Sequence, residues 1–182
     1  MKAADWSEVV DDPVFAMRMR FAQRDDDVLL VELWADPGGG VSVAHYHPVM
    51  EERFEVLEGE VKFTADGDDV IARPGDPAVV VKPGVRHKFE NVGETEAHVM
   101  TEADPGDPDL QEFLTRAAAL ARQGAYTRRG IPRGLGHLME AADFAERYRD
   151  STVLTGPAFP PPRLQPLLLG PLAWLHRRRR AA

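Results

Sequence analysis

Residues 39–59, GGVSVAHYHPVMEERFEVLEG, and residues 75–91, GDPAVVVKPGVRHKFEN, decide how the rest of the chain is read. In the first stretch His45 and His47 are two apart. On a strand, where side chains alternate, that spacing puts both imidazoles on one face. Glu52 follows on the next strand or bend. His87 stands far along the chain, behind the Pro83-Gly84 turn, where antiparallel pairing would bring it beside the first three. Three neutral imidazoles and a carboxylate suit Mn, Fe, Co, Ni, Cu or Zn, and leave one or two coordination positions open to water, substrate or dioxygen.

Outward from these stretches, residues 17–103 read as short strands punctuated by turns. Met17, Met19 and Phe21 alternate with Arg18 and Arg20, the pattern of a half-buried strand. Residues 28–35, VLLVELWA, are apolar on nearly both faces, as in a strand covered on both sides. Further strands are expected around Phe54–Leu57, on either side of the Asp66-Gly67 hairpin signal, and over residues 78–81, 88–92 and 97–101. Eight or nine such strands indicate an all-β sandwich or barrel.

The two opening stretches resemble the paired signatures of the cupin superfamily. Gly39, His45, His47, Glu52 and Gly59 fit the first, and Gly75, Pro83, Gly84, His87 and Asn91 the second. The resemblance implies a double-stranded β-helix, or jelly-roll, barrel. It implies one divalent transition metal, Fe, Mn or Ni before Zn, Co or Cu, held by His45, His47, Glu52 and His87, with Asn91 in a structural position nearby. Glu51 competes with Glu52, but the distance from Glu52 to Gly59 fits the signature. Lys82 stands where the second signature has a proline, and the spacing from Gly75 is one residue longer, so a bulge is expected before that turn.

Composition changes at Asp104-Pro105-Gly106-Asp107-Pro108. The expected division is a β-barrel with its N-terminal segment over residues 1–103 and a helical, Pro-rich extension over residues 104–182. Apolar residues recur at helical spacing from Leu110 to Ala121, with Asp107 as N-cap, Pro108 in the first turn and Gly124 as terminator. A second helix is expected over residues 135–148. After the Pro-rich residues 157–162, a last apolar segment, residues 164–175, interrupted at Gly170-Pro171, ends in Arg177–Arg180.

The 182 residues contain no cysteine, which excludes disulfides and thiolate metal sites. Residues 1–110 carry 25 acidic and 10 basic side chains, whereas residues 111–182 carry 5 acidic and 12 basic. An acidic body repels phosphate backbones, so nucleic acid is not an expected partner. The basic tail is expected to fold back on the body or on a second subunit. Contact of its amphipathic end with a membrane surface is the lesser alternative. The N-terminus lacks a signal-peptide pattern and no apolar run is long enough to span a bilayer, so a cytoplasmic location is expected.

The expected function is that of a mononuclear metal-dependent oxidoreductase, dioxygenase-like, acting on a small organic molecule, with Glu52 also serving as a base. The alternatives are a non-redox isomerase or lyase on a sugar or keto acid, and a small-molecule binding protein without turnover. Met17, Met19, Trp34, Met50, Phe54 and Met100 are candidates for an apolar cavity lining, although ordinary barrel core suits most of them better. Arg53 and Arg86 are expected in solvent, and His98, His137 and His176 away from any metal. A homodimer formed through edge strands, residues 1–16 or the C-terminal segment is expected.

Overall fold

The computed structural model describes residues 5–127, 130–156 and 159–180; the N-terminal residues 1–4 and residues 157 and 158 of the Pro-rich stretch lie outside the described residues. Ten strands come first: β1 (Val10–Asp12), β2 (Met17–Gln23), β3 (Leu29–Ala35), β4 (His45–Tyr46), β5 (Glu51–Glu58), β6 (Val61–Ala65), β7 (Asp68–Ala72), β8 (Val79–Val81), β9 (His87–Asn91) and β10 (Ala97–Asp104). Then follow α1 (Pro108–Arg122), α2 (Gly134–Arg147), β11 (Val153–Leu154), a 3-10 turn at Pro162–Leu164 and α3 (Gln165–Arg180). The strands form two antiparallel sheets, ordered β1-β2-β3-β10-β5-β8 and β11-β4-β9-β6-β7. This is the expected all-β jelly-roll barrel with a helical C-terminal extension.

Alternation builds the barrel interior. Met17, Met19 and Phe21 of β2, Val31 and Leu33 of β3, and Phe54 and Val56 of β5 all turn inward and are buried. Phe54, Phe63 and Phe89 meet with ring centroids 5.1 to 5.8 Å apart, where such pairs add about 0.5–1.5 kcal/mol beyond their buried area. The signature glycines have local causes. A Cβ on Gly39 would lie 2.3 Å from the Ala16 carbonyl oxygen. Gly59 has φ +81° and would bring a Cβ within 2.8 Å of the Ala97 Cα, so neither position admits a side chain without backbone movement.

Three expectations change. No bulge precedes Lys82: β8 pairs with β5 in regular register, Glu52 opposite Val81 and Phe54 opposite Val79, so the extra residue is absorbed in the turn before β8. The register shifts instead between β5 and β10, where His98 faces Glu58 and Val99 faces Val56, leaving Leu57 of β5 as the extra residue. Trp34 and Met100 do not line the interior, because alternation sends them to the outer face of their sheet, where Trp34 stacks on His98. Met50 is core, away from the cavity. Finally, α3 runs unbroken through Gly170-Pro171. Gly170 has no Cβ to collide with the proline ring, and Leu167, one turn back, is exposed, so its carbonyl can turn to water.

The extension packs on the barrel. The Asp107 side chain accepts from the Asp109 N–H at 2.8 Å and caps α1, which ends before Gly124 at φ +72°. Phe113 of α1, Phe144 of α2 and the buried Tyr148 form one aromatic cluster, and Arg122 donates to the Asp11 carbonyl at 2.6 Å. Among the described residues, the extension's arginines pair with its own carboxylates (Arg147 with Glu112, Arg177 with Asp143) rather than with the barrel's. Apolar packing and main-chain bonds, not the opposite charges, hold the two parts together. No helix among the described residues is long and apolar enough to cross a membrane.

Candidate metal centre

Three strands deliver the four side chains. β4 carries His45 and is followed at once by His47; β5 carries Glu52; β9 opens with His87. The pairing of β4 with β9 sets His45 opposite His87, with ring centroids 4.3 Å apart. All four are buried, and one donor atom from each lies within 4.8 Å of the others.

The hydrogen bonds behind the imidazoles decide which nitrogen faces inward. His45 Nδ1 lies 3.0 Å from the Val43 carbonyl oxygen, His87 Nδ1 3.1 Å from that of Val85, and His47 Nδ1 2.9 Å from that of Ser151. A carbonyl only accepts, so each Nδ1 carries the proton and each Nε2 keeps its lone pair for the interior. His47 Nε2 and His87 Nε2 approach Glu52 Oε2 at 3.2 and 2.8 Å, but without hydrogen-bond angles. All three atoms are buried and have no hydrogen-bond partner, an arrangement costly to leave unfilled. Inward lone pairs on borderline-soft nitrogens plus one carboxylate fit a divalent transition metal.

Electrostatics point the same way. Burial drives His45 down to about 3, helped by His87 and His47, so this imidazole is neutral at any ordinary pH. Burial opposes charge on Glu52 too, but His47 and His87 outweigh it and hold the carboxyl well below its usual range. His47 is the exception: burial lowers it, but the Glu52 charge outweighs burial and raises it in the metal-free protein, so a proton must leave its Nε2 when a metal binds. Glu52 is therefore a carboxylate, suited to a ligand and weak as a general base.

A cavity of about 140 Å³ abuts the cluster, with His45, His47 and Glu52 in its wall. Met17, Met19 and Phe54 line it from the barrel, and Leu110, Phe113 and Phe144 from the helices. Its other polar groups are few: Asp12, Thr101, Tyr126 and Thr152. Thr101 Oγ1 is buried without a partner, and burial pushes the Tyr126 hydroxyl up to about 12, keeping it a donor. Sequence reasoning missed these four, because none belongs to a motif and the face of each is set only by the folded register.

The remaining expectations resolve simply. Arg53 and Arg86 are exposed. His98 faces Glu32 at 2.8 Å and His137 Glu140 at 3.4 Å, far from the cluster in the fold. Asn91 donates to the Ala35 and Thr95 carbonyls and accepts from Gly93, fastening the turn after β9.

Residues 33–101 match the Cupin_2 family, described as a cupin domain. The match falls within the barrel and carries the metal-site residues with it. The chain's curated relatives include "Polyketide synthase CurC" of Streptomyces cyaneus, 34% identical over 87 residues, which are 47% of this chain and 55% of that protein. "Tetracenomycin polyketide synthase protein TcmJ" of Streptomyces glaucescens is 33% identical over 95 residues, covering 48% and 62%. The chain thus spans little more than half the length of these relatives. Among solved structures, an RmlC-like cupin from Shewanella frigidimarina superposes with a TM-score of 0.49 at 23% identity, over 57% of this chain and 88% of that one. KdgF from Halomonas sp. gives 0.48 at 19% identity, over 58% and 90%.

Proposed function

We propose that this cupin is a metal-dependent oxidoreductase of dioxygenase type that acts on an aromatic or enolisable ring of an apolar organic molecule, with His45, His47, Glu52 and His87 as the metal ligands. The observation that carries this reading is the cavity: apolar, ring-sized and walled on one side by three of the four ligands. An apolar cavity of about 150 Å³ accommodates a benzene ring. A sugar would need many more polar partners than the lining offers, which weighs against the sugar form of an isomerase. The names of the two curated relatives, both polyketide synthase proteins, support a polyketide-derived substrate.

A metal held by the four ligands would supply charge stabilisation for an ionised substrate oxygen and, if redox-active, electron transfer with dioxygen. The chain's own part is to position and to exclude. The aromatic and methionine walls orient a ring and keep water from it. The three Nδ1–H bonds hold the imidazoles in one tautomer. Tyr126 donates a hydrogen bond to a substrate oxygen. Glu52, as a weak base, accepts a proton only from an acidic donor such as a phenol or enol.

The test is oxygen uptake by protein loaded with Fe(II), Mn(II) or Ni(II), offered catechols, naphthols, anthrones and β-diketones. Uptake with an apolar aromatic or enolic compound, abolished in His47→Ala and His87→Ala, is the expected result; none with any metal and compound would overturn the reading. A keto-bearing, polyketide-derived substrate also suits a second reading, a non-redox isomerase or lyase with the metal as Lewis acid. It predicts anaerobic turnover that persists with Zn(II). The proposal includes a homodimer, expected as twice the 20.2 kDa chain mass by light scattering.

A further inference from the structure

His47 is oriented by a part of the chain that lies outside both cupin signatures. His45 and His87 donate to carbonyls two residues back in their own loops. The acceptor for His47 Nδ1 is the main-chain carbonyl of Ser151, 104 residues away in the C-terminal extension, with Thr152 Oγ1 also 3.3 Å off. Ser151 Oγ itself is buried without a partner, so it is the carbonyl that acts.

That carbonyl is held at both ends. Upstream, the N–H groups of Ser151 and Thr152 donate to the Tyr148 carbonyl at 3.0 and 2.7 Å, and Tyr148 is locked in the aromatic cluster with Phe113 and Phe144. Downstream, β11 pairs with β4, Val153 opposite Tyr46 and Leu154 opposite His45. Beyond β11, the Thr155 N–H and Oγ1 both donate to the Ala44 carbonyl, at 2.7 and 2.8 Å. From α3, Gln165 Nε2 donates to the Leu154 carbonyl at 2.8 Å. All three helices thus act, through this short segment, on β4, which bears His45 and leads directly into His47.

We infer that residues 151–155 are a strap that positions His47 for metal binding, making the C-terminal extension a working part of the metal centre; this rests on the reading of the four residues as ligands. An acceptor behind a ligating imidazole fixes its tautomer and ring angle and raises the basicity of the ligating nitrogen, and losing one typically weakens metal binding about 10- to 100-fold.

The test uses the full chain and Co(II) as probe, read by titration of its visible absorption. Thr152→Pro removes the N–H that reaches Tyr148 and, because a residue before proline avoids the helical region, re-aims the Ser151 carbonyl. Co(II) affinity is expected to fall about 10- to 100-fold. Ser151→Ala, which keeps the carbonyl, is expected to bind as wild type. If Thr152→Pro fails to fold, as circular dichroism will show, the milder pair Thr155→Val and Gln165→Leu serves instead, with a smaller loss in the same direction. A second readout needs no metal: in the metal-free wild type, nitrogen-15 spectra of the histidines should show His47 with a protonated, slowly exchanging Nδ1, lost in Thr152→Pro. Wild-type Co(II) affinity and an unchanged Nδ1–H signal in a folded strap variant overturn the inference. A fast-exchanging His47 Nδ1–H in the wild type does so too. Failure of the wild type to bind any metal, with the Nδ1–H signal intact, overturns the reading of the site instead.

Discussion

Glu32 and Glu52 sit on opposite faces of the larger sheet and are equally hidden, each 7% exposed, yet their surroundings differ in kind. On the outer face, Glu32 accepts from Arg20 at 2.5 Å and lies 2.8 Å from His98 Nε2. His98 stacks on Trp34 at 5.0 Å, and the Arg20 guanidinium lies between the Trp6 and Trp34 rings, 4.7 and 5.6 Å from their centroids. Every polar group there is answered by another. On the inner face, Glu52 and the Nε2 atoms of His47 and His87 crowd together with no hydrogen bond among them. A glutamate at the same burial thus belongs to a closed cluster in one place and to an open donor set in the other. The first ties strands together; the second is arranged for a cation.

The largest expected effect separates the two clusters outright. His47→Ala or His87→Ala should take the metal content of untagged protein from about one equivalent to near none by elemental analysis, while Glu32→Ala should leave it at the wild-type level. A metal content that follows Glu32 would break the comparison.

Next in size is the pH response of the metal-free protein. With His45 held down to about 3 against an ordinary 6.5, the unfolded chain takes up a proton below about pH 6.5 that the folded chain refuses. His45 alone thus makes stability fall as the pH is lowered from 6.5 toward 3, by about 3 kcal/mol at pH 4, and His47, held above its ordinary value by Glu52, offsets part of that loss. Glu52, held low, adds a loss of the same sign below about pH 4.5. Urea midpoints across this range measure the slope, and His45→Phe should flatten it. Glu32→Ala comes third: stranding Arg20 and His98 should cost about 2 kcal/mol in denaturant titrations at neutral pH. The smallest effect sharpens the contrast within the inner face. Thr101→Val removes an unpartnered hydroxyl of nearly the same volume and should stabilise the apo protein by up to about 1 kcal/mol, read as a rise in Tm.

Much of this was legible in the sequence because it depends on residue type. Alternation in residues 17–21 gives β2 its inward face, Gly59 marks a place no side chain fits, and the His45, His47, Glu52 and His87 spacing names the inner cluster. The outer cluster was not legible, since Glu32, Arg20 and His98 meet only through the register of β2, β3 and β10. The strap was hidden for a different reason. Its acting group is a carbonyl, which every residue carries, so no residue type announces it. The run Ser-Thr-Val-Leu-Thr at residues 151–155, three of its five side chains β-branched, was the one available sign of a strand there. The cavity's outer wall escaped because an apolar stripe on a helix shows that a face is covered, not what it covers.

The pairing of β11 with β4 also gives the site a history during synthesis. All four residues of the inner cluster have left the ribosome once residue 87 has, whereas residues 151–155 follow some sixty residues behind. At 5–20 residues per second that is an interval of about 3 to 13 seconds. Once β9 and β10 have also emerged, the nascent barrel exposes β4 as a bare sheet edge beside its two histidines, open to a metal donor or to another chain's strand until its own last strand arrives.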